Sequence, residues 1–139
     1  MPLTTELSNK PPQKARPLSP HLQIYKPQLT SALSIFHRLS GIALTFGLLV
    51  LTAWLVALAS GPEAYNSFAG YTHSILGQII LFGLTLAFFF HLCCGIRHLM
   101  WDAGLFMDIK DVYKTGHIAL AVTIILTLVV WLEIYGVSL

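Results

Sequence analysis

The chain has 139 residues, of which 55% are hydrophobic and 10% charged, and its formal net charge is +2. Soluble domains carry about 25% charged residues, so the deficit excludes a chain that mostly faces water. The small charge says little about nucleic acid, but no clustered basic face outside the membrane-flanking segments offers it a site, and none is expected as a partner. Residues 1–30 hold six of the seven prolines, no apolar run, and Glu6. That segment has the composition of neither a secretory signal nor an arginine-rich transit peptide. It is expected to be a proline-rich cytoplasmic arm, ordered only against a partner.

Three stretches follow that contain no Asp, Glu, Lys or Arg: residues 39–62, 64–96 and 115–132. A transmembrane helix needs about 20 predominantly apolar residues. The second stretch is too long for one span and too short for two with a turn, so its semi-polar start, residues 64–74, is expected at the interface. The spans are placed at 35–60, 74–98 and 115–136, within a membrane unit covering residues 31–139.

Charge gives the orientation. Lys10, Lys14, Arg16, Lys26 and Arg38 precede or open span 1, and Arg97, Lys110 and Lys114 lie between spans 2 and 3. These are all eight basic residues. The positive-inside rule puts the N-terminus and the second loop on the cytoplasmic side. Trp101 and Tyr113 then mark the cytoplasmic interface, and Tyr65, Tyr71, Trp131 and Tyr135 the opposite one. The expected fold is an all-α membrane protein of three transmembrane helices with a cytoplasmic N-terminus, multi-pass in a bacterial inner membrane, with the mitochondrial inner membrane as the less favoured alternative.

Ionisable groups at membrane depth are costly and therefore candidates for function. His91 lies ten residues before Trp101, about 15 Å along a helix, nearer mid-membrane than the surface. It reads either as an imidazole bonded to a neighbouring helix or as an axial haem ligand, supplied from within a helical bundle. Gly95, at i+4, lies on the same face, where the missing side chain lets a flat macrocycle or another helix come close. His98, at i+7, sits about 10 Å nearer the cytoplasm, beside Arg97. Both approach the level that haem propionates would reach, or they end the helix at the headgroups. For Arg97 the helix-end role is favoured.

Ser34, His37 and Arg38 share one face at the start of span 1, and Ser40 and Gly41 follow. A hydroxyl and a guanidinium there could hold a quinone carbonyl, or anchor the span at the interface. His21, His73 and His117 read as interfacial. Adjacent Cys93 and Cys94 point about 100° apart on a helix, so they read as packing residues rather than a disulfide.

Residues 16–22 read R-P-L-S-P-H-L, residues 34–41 read S-I-F-H-R-L-S-G and residues 91–102 read H-L-C-C-G-I-R-H-L-M-W-D. In that order they resemble the cytochrome b556 subunit family of succinate dehydrogenase, respiratory complex II, from residue 16 to about 135. The resemblance implies a heteromeric helical bundle around haem b. It makes His91 the axial ligand to the haem iron, with the second histidine from a smaller membrane anchor subunit. It puts Ser34 and Arg38 at a ubiquinone site near the iron–sulfur subunit, and His37, Arg38 and His98 in the haem propionate region, with Gly95 packing on the haem. Succinate oxidation falls to a flavoprotein subunit, so this chain holds no catalytic residue of its own for that step. Asp102 stands at the cytoplasmic mouth either as a proton-delivering carboxylate or as a helix-end carboxylate paired with Arg97 or a lysine.

Two rival readings stand beside this one. A quinol:fumarate reductase anchor runs the same electron path in reverse, although two-haem anchors need four histidine ligands within their spans. A haem-free structural subunit would use His91 for packing. A self-contained cytochrome using His91 and His98 fails, because two ligands on one helix face cannot occupy opposite sides of a porphyrin.

Overall fold

Residues 26–136 of the computed structural model are described, and they form four helices. The basic residues Lys10, Lys14 and Arg16, His21 and most of the expected arm lie outside them. Helix α1 spans Leu29–Ala59, α2 Pro62–Thr72, α3 Ile75–Asp102 and α4 Ile109–Ile134. Three of them, α1, α3 and α4, are long and apolar enough to cross a membrane.

Each long helix begins further upstream or ends further downstream than its hydrophobic stretch. Helix α1 starts at Leu29 rather than at residue 35, because helix geometry continues through polar Thr30, Ser31 and Ser34. Upstream, Pro27 disfavours helix at Lys26. Gln28 is the extended N-cap residue. Helix α3 runs past residue 98 to Asp102, and its exit is turned by Gly104 and Phe106 at positive φ. Helix α4 begins six residues before 115, since the charged segment after Asp108 continues the helix out of the apolar zone. Hydropathy marks where a bilayer would fit, whereas helices end at turns.

The interfacial segment is itself helical. Gly61 adopts φ 106 between α1 and α2, and Pro62 opens α2 at a position where its missing N–H costs nothing. Ser74 then starts α3, its Oγ accepting from the Gly77 N–H at 3.1 Å. The overlong uncharged run is thereby divided into a short helix and a span.

Helix α3 is central and packs on both α1 and α4. Small buried residues of α4, namely Gly116, Ala119, Thr123 and Thr127, form the seam. Small residues allow close helix approach where lipid removes the hydrophobic drive for association. The threonine hydroxyls are satisfied within the helix, Thr123 donating to Ala119 O at 2.7 Å and Thr127 to Thr123 O at 2.8 Å. At the far end of this seam, Tyr135 donates to Gln78 Oε1 at 2.8 Å.

A Cβ at Gly116 would lie 2.9 Å from Leu33 Cδ1 and 3.5 Å from Leu29 Cδ2. Gly116→Val is therefore expected to destabilise by about 1–3 kcal/mol through overpacking. Thermal unfolding of the detergent-solubilised protein measures it, and unchanged stability would mean that α1 withdraws freely.

Candidate functional site

The N-terminal end of α1, the C-terminal end of α3 and the first turns of α4 meet at one end of the bundle. There the His37 ring of α1 stacks on the His91 ring of α3, with centroids 4.2 Å apart and planes at 21°. The His98 ring lies 5.0 Å from His37, and Trp101 stands edge-on to His98 at 5.2 Å. Helical spacing groups His91 with His98 and His37 with Ser34, and the family resemblance puts His37 and His98 in one region. The structure brings all three imidazoles into one row.

The protonation of His91 follows from its neighbours. Its Nδ1 lies 3.0 Å from Ser40 Oγ and 3.2 Å from the His37 carbonyl oxygen. The Ser40 hydroxyl has one proton and donates it to that same carbonyl at 2.7 Å. Nδ1 therefore faces two acceptors and must carry the ring proton. The lone pair is left on Nε2, which makes no hydrogen bond among the described residues. Fixing the tautomer through the opposite ring nitrogen is how histidine ligands are prepared for a metal.

Two glycines border the row. A Cβ at Gly41 would lie 3.2 Å from His91 Cε1, tighter than ordinary contact, so glycine there permits the imidazole to seat against α1. A Cβ at Gly95 would meet His37 Nε2 at 3.9 Å, so this glycine faces the α1 histidine. His37 Nε2 is buried without a hydrogen-bond partner. Leaving such a group unpaired costs about 1–3 kcal/mol, which an incoming polar group would recover.

These features fit haem b. A neutral imidazole presents a free Nε2, an orphaned ring nitrogen lies beside it, and the Gly95 side adds no bulk. Among the described residues no group of three or more His, Cys, Asp or Glu is arranged to hold a metal ion. A metal held by His91 thus needs ligands beyond these side chains.

Ser34 is half-buried and Arg38 exposed, one helical turn apart on the side of α1 that carries His37. A hydroxyl and a guanidinium that is unpaired among the described residues therefore flank the histidine row at this end of the bundle. Asp102 is exposed at the end of α3. His73 and His117 are exposed and apart from the row, and His117 Nδ1 bonds to Tyr113 O at 2.8 Å. Both cysteines are free, Cys94 buried and Cys93 half-buried.

Arg97 corrects the sequence reading. It is not a headgroup-facing helix end but is 5% exposed and turned toward α4. Its Nε donates to Thr115 Oγ1 at 3.1 Å and its Nη2 to Val112 O at 2.8 Å. Its Cζ lies 3.9 Å from the Trp101 ring centroid, a cation–π contact. Gly116 borders this guanidinium: a Cβ there would sit in ordinary contact with Nη2 at 3.8 Å. Buried guanidinium is tolerated where its donors are used in this way. These bonds go to a hydroxyl and a carbonyl, not to the Asp102 carboxylate the sequence offered.

Ser40 and Gly41 are the residues whose part the sequence did not reveal. Both stand inside the S-I-F-H-R-L-S-G segment, yet only the register of α1 against α3 shows that they contact His91.

A family model described as succinate dehydrogenase/fumarate reductase transmembrane subunit matches residues 12–130. The succinate dehydrogenase cytochrome b556 subunit of Rickettsia felis is 41% identical over 116 residues, covering 84% of this chain and 90% of that protein. The cytochrome b556 subunit of Paracoccus denitrificans is 41% identical over 119 residues, covering 84% and 92%. The cytochrome b560 subunit of Reclinomonas americana is 41% identical over 122 residues, covering 84% and 85%.

Proposed function

The chain belongs to the succinate dehydrogenase/fumarate reductase transmembrane subunit family, as a cytochrome b membrane anchor of a succinate dehydrogenase complex, and from that premise we propose that it ligates haem b through His91 and forms part of a ubiquinone-reduction site with Ser34 and Arg38. The observation that carries the haem assignment is the His91 Nδ1 set against two acceptors, which leaves Nε2 for iron. His37, Arg38 and His98 hold the propionates, and Gly95, next to the His37 ring, adds no side chain of its own beside the macrocycle. The second axial histidine comes from the smaller anchor subunit. When bound, the haem would supply a one-electron redox centre.

The polar end faces the cytoplasm, where Lys26, Arg38, Lys110 and Lys114 meet the positive-inside bias. The complex sits in a bacterial inner membrane. On that side the flavoprotein subunit oxidises succinate and the iron–sulfur subunit passes the electrons to the membrane face, where residues 1–30 also make contact. Arg38 donates hydrogen bonds to a quinone carbonyl and opposes the negative charge that builds there on reduction. Ser34 donates a second bond and orients the ring. Apolar helix surface beside them accepts the isoprenoid tail. Two electrons and two protons complete ubiquinol.

The visible spectrum of the purified membrane complex tests the haem assignment. Dithionite reduction is expected to produce b-type bands. A complex of full subunit composition without them would leave a haem-free anchor.

A further inference from the structure

We propose that Ser40 is a positioning residue for the axial histidine, its hydroxyl setting the ring angle and the basicity of the imidazole that meets iron. This rests on the reading of His91 as the ligand. Ser40 is 7% exposed, so water does not compete for its hydroxyl. Its proton is committed to the His37 carbonyl at 2.7 Å. That carbonyl already accepts the helical bond from four residues on, so the serine fills its second lone pair. The 3.2 Å approach of His91 Nδ1 to the same oxygen is consequently the weaker one. Ser40 Oγ, 3.0 Å away with both lone pairs unspent, is the principal acceptor.

A hydroxyl that donates to a carbonyl is polarised and accepts more strongly. The sequence of bonds from His91 through Ser40 to the α1 backbone thus draws on the Nδ1 proton and raises electron density at Nε2. Outer partners of this kind orient a ligating histidine and raise its basicity. A more basic ligand favours ferric over ferrous iron. Since the whole relay is anchored to the α1 backbone, it also ties the ring plane to the packing of α1 on α3.

The test compares haem midpoint potential, the ferric low-spin electron paramagnetic resonance signal and haem retention in purified complexes. Ser40→Ala is expected to keep haem but raise its potential, shift the low-spin signal and weaken retention roughly 10- to 100-fold. Ser40→Thr keeps the hydroxyl. Its added methyl has room, because Ser40 lines an apolar groove of about 710 Å³ together with Ala43 and Thr123. That variant is expected to restore wild-type values. Thr127→Val, which removes a buried hydroxyl on α4 at nearly constant volume, controls for the loss of a buried hydroxyl as such and is expected to leave the potential unchanged. An Ser40→Ala complex with unaltered potential and resonance signal, or with a potential that falls, overturns the proposal. A His91→Leu complex separates the two readings. If it keeps the wild-type haem signature, the ligand assignment fails. If it loses the signature while Ser40→Ala is silent, only the role of Ser40 fails.

Discussion

His91→Leu is expected to abolish the bis-histidine low-spin haem signature of the complex and to lower haem content by about 10-fold or more. Leucine fills nearly the same volume without a nitrogen, so the change removes the lone pair and little else. The local polar groups survive it: Ser40 keeps its 2.7 Å bond to the His37 carbonyl, and no acceptor is stranded that was not already bonded. The packing of α3 on α1 and α4 rests on residues such as Cys94 and the α4 seam, which the substitution does not touch. Assembly should therefore persist, and succinate oxidation assayed with a soluble dye should remain near wild type. Among the described residues His37, stacked 4.2 Å away with an unpaired Nε2, is the side chain placed to take over. It lies on another helix at another angle, so any residual haem should show an altered spectrum. His37→Leu in the same background should then remove it. Wild-type absorption and resonance spectra in His91→Leu would refute the ligand assignment.

Much of this architecture was legible because a bilayer imposes simple rules. Uncharged length located the three membrane helices, and Ser74 was legible as the start of α3. The helix ends were less so. Residues 29–34 and 109–114 are helical although too polar to count as span, since backbone hydrogen bonding is indifferent to hydropathy until Pro27 or the Gly104 turn intervenes. For the candidate site, depth singled out His91, and helical spacing grouped Ser34, His37 and Arg38. What spacing within a helix cannot supply is register between helices. The stacking of His37 on His91, the Ser40 bond and the Gly41 approach all depend on how far α1 is slid along α3. Arg97 went astray for the same reason. A cation near a helix end reads as a headgroup anchor until Thr115 and the Val112 carbonyl on a different helix are seen to accept from it.

Arg38→Leu is expected to lower ubiquinone reduction by about 10- to 100-fold in kcat/KM while dye-linked succinate oxidation stays intact. The magnitude is that of losing a hydrogen bond from a charged donor, about 1.5–3 kcal/mol. The reading is clean because Arg38 is exposed. Leucine is as good a helix former as arginine, and no core contact is lost, so a defect confined to quinone chemistry cannot be put down to misfolding. The same variant discriminates between the two uses proposed for this guanidinium. If it serves the quinone, KM for a soluble ubiquinone analogue rises and kcat falls, with haem spectrum and content little changed. If its main use is to hold a propionate, the haem potential moves and quinone kinetics follow only weakly. Arg38→Lys refines the point, since it keeps the charge but not the planar fork of donors. Partial recovery in that variant means charge stabilises the reduced quinone; none means that the geometry of two parallel N–H groups is required. Ser34→Ala, which removes a neutral donor worth about 0.5–1.5 kcal/mol, should give the smaller loss. Normal quinone kinetics in Arg38→Leu would remove this end of α1 from the quinone pocket, and Ser34 and Arg38 would then be anchors of the helix at the membrane surface.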